Sequence, residues 1–140
     1  MITLTSDMNE QQMAYEDADA LLSSHGFTLG GNWDYNQGEF DYALDEANKV
    51  WLRIPFSVTR GTLDIEAGAS DATILLGSPY VLKHVYRESD NPDPEAQPKI
   101  VGALFDQFQK PVDKDADVEQ KWVDQARQLL VKVEEDFKGA

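Results

Sequence analysis

The side chains able to do chemistry are few in kind and scattered in sequence. Cysteine is absent and there are two histidines, His25 and His84, against 26 aspartates and glutamates. Asp113-x-Asp115-x-Asp117 opens like a calcium loop. Val118 replaces the glycine of the sharp turn, and Asp124 stands where a bidentate glutamate belongs, so the run reads as a helix-leading loop. Two histidines do not build a usual zinc site without carboxylate help. A Ser-His-Asp triad would need His84, yet no nucleophile-elbow sequence is present. Gly30-Gly31 lacks the Gly-Lys-Ser/Thr that completes a phosphate loop. No catalytic, cofactor-binding or metal-ligating residue is therefore assigned, and a non-enzymatic protein is expected.

Two patches are the candidates for contact with a ligand or partner. In the first, Trp51 lies between Lys49 and Arg53 on the polar face of a hairpin, beside Asp41. Such a tryptophan is covered by its own chain, by a partner or by a stacked ligand. In the second, Tyr80, Lys83, His84 and Tyr86 fall in one strand-like run, where His84 alternates with apolar residues. A satisfied core histidine is the plain reading, with a general base or metal ligand as the other.

The elements that must position these residues follow from periodicity. Phe40, Tyr42 and Leu44 alternate with polar residues, as do Val50, Leu52, Ile54 and Phe56. Folding the chain at Glu46-Ala47-Asn48 pairs Leu44 with Val50, Tyr42 with Leu52 and Phe40 with Ile54. Asp45 then opposes Lys49 and Asp41 opposes Arg53, and Asn48 suits a left-handed turn position. Asp7-x-x-Glu10 resembles a capping box opening a helix that Gly26 stops, with His25 in its last turn. Phe27–Trp33 reads as a short strand, and Pro55 marks an edge position or a bulge. Thr62–Ala67 and Ala72–Gly77 read as a second hairpin, and Tyr80–Arg87 as a further strand. Pro98 opens a helix that Pro111 stops. Asp117 and Gln120 cap a last helix whose stripe is Trp122, Ala126, Leu129, Leu130, Val133 and Phe137.

The segment GNWDYNQGEFDYALDEANKVWLRIP, preceded by LLSSHGF and followed by LLGSPYVLKHVYR, resembles the YugN-like family, small bacterial proteins typical of Bacillus and its relatives. The resemblance covers about Asp17 to Arg87. It implies a fold and no particular activity. Family members often continue past the lysine–histidine pair with proline, histidine and glycine, whereas here Lys83-His84 leads into Val85-Tyr86-Arg87. A second histidine is thus missing from that position.

The expected architecture is one α+β domain over residues 1–140. It has a curved antiparallel sheet of five to six strands backed by N- and C-terminal helices, in a helix-grip or TBP-like arrangement. The net charge is −14, and residues 1–48 hold ten acids with no lysine or arginine. Such a surface repels phosphate backbones and anionic lipids, which disfavours nucleic acid and membrane as partners. Absent cysteines and the lack of a signal-like N-terminus fit a cytoplasmic location. The leading expectation is an interaction surface, with a homodimer joined at a sheet face or edge as one form of it. The alternative is a small-ligand carrier with a cavity between sheet and helices, lined by Tyr42 and Trp122.

Overall fold

The computed structural model of the chain describes residues 1–64, 70–84 and 118–139. Among them are seven strands and two helices: β1 (Ile2–Thr3), β2 (Gln12–Ala14), α1 (Tyr15–Ser23), β3 (Thr28–Leu29), β4 (Gln37–Ala43), β5 (Val50–Arg60), β6 (Thr73–Leu76), β7 (Tyr80–Lys83) and α2 (Gln120–Gly139). The arrangement is α+β, an open antiparallel sheet with helices packed on one face.

β4 and β5 are the hairpin that the alternation predicts. Phe40 pairs with Ile54, Asp41 with Arg53 and Tyr42 with Leu52, and the Leu44 N–H donates to the Val50 carbonyl at 2.8 Å. Asn48 holds φ 59° in the turn. Asp45 does not face Lys49 as a charge pair. Its carboxylate instead accepts the Lys49 and Val50 backbone N–H groups at 2.8 and 2.9 Å, closing the loop.

β5 is the spine. On one side it pairs with β4, and β4 with β3. On its other side it pairs with β7 along Val50–Arg53 and with β6 along Phe56–Arg60. The register advances by one residue between Arg53↔Tyr80 and Phe56↔Leu76, so β6 and β7 form one strand line with an extra residue at Gly77-Ser78-Pro79. Pro55 faces this break, where its missing N–H costs no ladder bond, and its carbonyl accepts the Gly77 N–H at 2.8 Å. Pro55 thus sits within a central strand opposite a bulge, not at an edge position. β1 pairs with β7 and β2 with β6, so they share the next line. The seven strands are therefore five lines wide, two of them broken.

Three expectations are corrected. Asp7-x-x-Glu10 starts no helix: α1 begins at Tyr15 after Ala14, which lends no side-chain cap, and Gln12–Ala14 pairs with β6. Asp7 instead meets Lys138 at 2.7 Å on α2, and Glu10 takes φ 68° with its N–H on Leu76. Phe27–Trp33 narrows to the two residues of β3. β6 pairs with β5 and β2, not with Thr62–Asp64, whose residues form no strand. Gly26 does end α1, with φ 92° and the Phe27 N–H returning to the Leu22 carbonyl. Asp113, Asp115 and Asp117, the Pro98 helix and Tyr86 lie outside the described residues.

The core lies between the sheet and the helices. Phe40, Leu52, Ile54 and Val81 are fully buried there with Ala18 and Leu22 of α1 and Val123, Ala126, Leu130 and Val133 of α2. Tyr42, Trp122, Leu129 and Phe137 pack against this cluster. Val123, which the periodicity left out, joins Trp122 in the stripe of α2.

Candidate functional site

The face of the sheet away from the core carries the polar residues of the hairpin. Strand alternation puts Glu39 and Asp41 of β4, Trp51 and Arg53 of β5, and Tyr80 and Leu82 of β7 on it. The registers align one row across all five strand lines: Thr28, Asp41, Arg53, Tyr80 and Thr3. Arg53 is the hub. Its Nε lies 3.2 Å from Asp41 Oδ1 and 3.5 Å from Glu39 Oε2. The Tyr80 hydroxyl donates to Glu39 Oε1 at 2.8 Å. Two carboxylates, one guanidinium and one phenol thus bind three strands together.

Asp41 Oδ1 and Arg53 Nε are both fully buried yet share no hydrogen bond of good geometry. Their attraction is Coulombic, strengthened by the low local dielectric rather than by an aligned N–H. Burial pushes the Asp41 carboxyl above its ordinary range; Arg53 opposes this and Glu39 adds to it. The Tyr80 phenol is pushed up to about 12, first by burial and then by the hydrogen bond to Glu39 and that residue's charge. Gly30 belongs to this site through its missing side chain. A Cβ there would stand 2.6 Å from Asp41 Oδ2, and its N–H donates to the Glu39 carbonyl at 2.8 Å.

Asp41, Arg53 and Tyr80, from separate patches of the sequence, are thus brought together. Trp51 lies one row on, between Ala43 and Leu82, half-buried, and its indole N–H donates to the Asn48 carbonyl at 3.0 Å. His84 continues the β7 line, with its backbone N–H on the Lys49 carbonyl at 2.8 Å. Alternation sets it on the same side as Tyr80 and Leu82, where Leu82 and the imidazole Nδ1 are both buried. Lys83 is separated from them: its partner Val50 is a core residue, and its ammonium reaches Glu119 before α2 at 3.8 Å. His25 bonds Asp136 of α2 through Nε2 at 2.6 Å and so ties the end of α1 to α2.

Glu39 is the residue that sequence reasoning missed. Its signal was present: two positions from Asp41 in an alternating strand, it shares that face and stands diagonal to Arg53. Gly30 carried no such signal, because only the folded chain puts it against Asp41.

Three adjoining clefts run along this region. One of about 90 Å³ is lined by Gly30, Gly31, Asn32, Glu39, Asp41 and Arg53. A second, about 200 Å³, shares Asn32 and Glu39 with it and reaches Pro55 and Phe56. The third, about 320 Å³, opens at the strand break between Asn9, Glu10, Pro55 and Gly77 and is mainly apolar. No group of three or more His, Asp or Glu side chains among the described residues could hold a metal ion. No helix among them is long and apolar enough to cross a membrane.

The chain is 29% identical over 136 residues to the uncharacterized protein YugN of Bacillus subtilis (strain 168), covering 96% of this chain and 97% of that one. It superposes on the crystal structure of the uncharacterized conserved protein YugN from Geobacillus kaustophilus HTA426 with a TM-score of 0.66 at 18% identity, over 99% of this chain and 96% of the other. The model of the YugN-like family matches residues 3–137, well beyond the Asp17–Arg87 stretch that carries the resemblance. The chain belongs to the YugN-like family.

Proposed function

We propose that this protein is a non-enzymatic, cytoplasmic interaction module whose contact surface is the outer face of the sheet. The observation that carries this reading is the one-sidedness of the packing. Both described helices cover the other face, while on this one Gln12, Gln37 and Ser57 stand exposed at the end away from the buried Leu82. The row from Thr28 to Thr3 stiffens the platform, since Arg53 and its partners fasten three strands. The polar groups of that cluster engage one another, and this favours a structural over a catalytic role.

A second reading is favoured by one observation, the 320 Å³ groove at the strand break, which is at the small end of ligand sites. It moves the expected ligand cavity from the space between sheet and helices, where Tyr42 and Trp122 pack against the core, to the rim around Pro55.

Photo-crosslinking tests the first reading. A photoreactive residue is placed at Ser57 or, as a control, at exposed Val131 of α2, in the intact chain. Adducts of defined mass are expected from position 57 and not from 131. No adduct at 57 would remove the sheet face as the contact surface. Native mass spectrometry tests the second: a persistent small added mass, lost on Leu75→Arg, would support the groove.

A further inference from the structure

We infer that the groove at the strand break holds a linear aliphatic diammonium ion, its methylenes over Pro55 and Leu75 and its two ammonium groups beside Glu10 and Glu39. This rests on the reading of that groove as a ligand site and names the ligand's class.

Position comes first. Glu39 of β4 pairs with Pro55 of β5, and the Pro55 carbonyl takes the Gly77 N–H from the next strand line at 2.8 Å. The Glu10 N–H donates to the Leu76 carbonyl at 2.8 Å, and the Leu76 N–H returns to the Gln11 carbonyl at 2.9 Å. Glu10 and Gln11 thus oppose one residue, a bulge whose first position has φ 68°. Glu39 and Glu10 are therefore three strand spacings apart, about 14 Å between backbones at about 4.8 Å per line. Pro55 and Gly77 lie between them. Gly77 leaves the interval open: a Cβ there would stand 3.1 Å from Pro55 Cγ. Leu75 completes a lining that is mainly apolar.

Charge selects the ligand. The groove and the adjoining cleft of about 200 Å³ both reach Pro55 and Phe56, and their charged lining residues are Glu10 in the one and Glu39 in the other. No lysine, arginine or histidine lines either. Glu10 is exposed. Glu39 shares Arg53 with Asp41, so two carboxylates against one guanidinium leave that end net negative as well. An anion is repelled at both ends and by the −14 of the whole chain. An uncharged hydrocarbon would strip water from the carboxylates and offer them nothing in return. A single ammonium answers one end only. Two ammonium groups on a methylene chain answer both, while the chain covers Pro55 and Leu75. Glutamate side chains reach inward from either end, so about eight carbons span the gap.

Two-dimensional amide NMR on the isotope-labelled full chain, titrated with α,ω-diaminooctane in about 0.15 M salt, reads the site directly. Saturable shifts at Glu10, Leu75 and Gly77 are expected, with Kd on the order of 0.1–1 mM. α,ω-Octanediol, the same body without charge, should need at least about tenfold more. Glu10→Gln should weaken the diamine about three- to fivefold, the reach of one exposed charge pair. Glu135→Gln removes an equal charge from the exposed side of α2 and should leave binding unchanged. Glu10→Gly repeats the test should the first variant fold poorly, since φ 68° suits glycine. Diamine binding indifferent to Glu10, or shifts that spread over the acidic surface without saturating, overturns the proposal. Diol and diamine binding equally at Leu75 and Gly77 would remove the charged ligand and keep the groove; no shift there with either would remove both.

Discussion

Arg53 is the residue on which most of the outer face depends. Its side chain is 21% exposed and that of Asp41 15%, so both are largely withdrawn from water. Arg53→Gln leaves Asp41 and Glu39 facing each other without a cation. The expected loss is about 1–3 kcal/mol, read from urea unfolding at neutral pH; an unchanged midpoint would mean that water replaces the guanidinium. Tyr80 gives a pH signature. Its phenol is raised from 10.0 to about 12 in the fold, so the folded chain keeps a proton that the unfolded chain releases. That contribution is complete below pH 10 and is lost as pH rises through the folded value. Tyr80→Phe should flatten the fall in stability between pH 10 and pH 12, with Tyr15, also raised to about 12 by burial and by Asp19, retaining its share. An unchanged alkaline limb in the variant would assign the loss to other groups.

At the scale of elements, the β4–β5 hairpin depends on one close approach. Gly38 pairs with Phe56, and a Cβ at Gly38 would lie 2.6 Å from Phe56 Cζ and 3.2 Å from Trp33 Cβ. The ring of Phe56 also contacts Tyr15 and Phe40, with centroids 5.9 and 5.1 Å away, so it has little room to yield. Gly38→Ala should therefore destabilise by about 1–3 kcal/mol, although alanine is the better strand residue elsewhere. Thermal unfolding checks this, and a stabilised variant would show that the ring moves aside. The same scale explains what was legible. The hairpin register could be read because one buried face fixes it: a slip of one residue would turn Phe40, Tyr42 and Leu44 to the outside. The start of α1 could not, because Asp7 and Glu10 offer the same local chemistry to a helix cap as to a turn. The choice was made by strand pairing of Gln12–Ala14 with Thr73–Leu75.

For the whole molecule, charge is the dominant variable. Folding gathers −14 into one domain, so screening should favour the folded state more than the unfolded. Calorimetry at low protein concentration should show the unfolding temperature rising by roughly 3–6 °C from low to moderate salt; a flat or falling trend would point to ion pairs such as Lys138–Asp7, 2.7 Å apart, as the larger contributors. By itself the sequence determined the antiparallel hairpin, the amphipathic last helix, the α+β class and the family, because each rests on a local period or a contiguous motif. It also determined that Asp41 faces Arg53, since pairing within a hairpin is local. The tertiary structure alone decided that Tyr80 joins them, that Lys83 leaves for the helix side, and that Gly30 backs Asp41. These depend on which strand lies beside which, and on a one-residue bulge at Gly77-Ser78-Pro79 that shifts β7 against β6. Side-chain alternation carries no information about a neighbour forty residues away, and a bulge leaves no period in the sequence that precedes it.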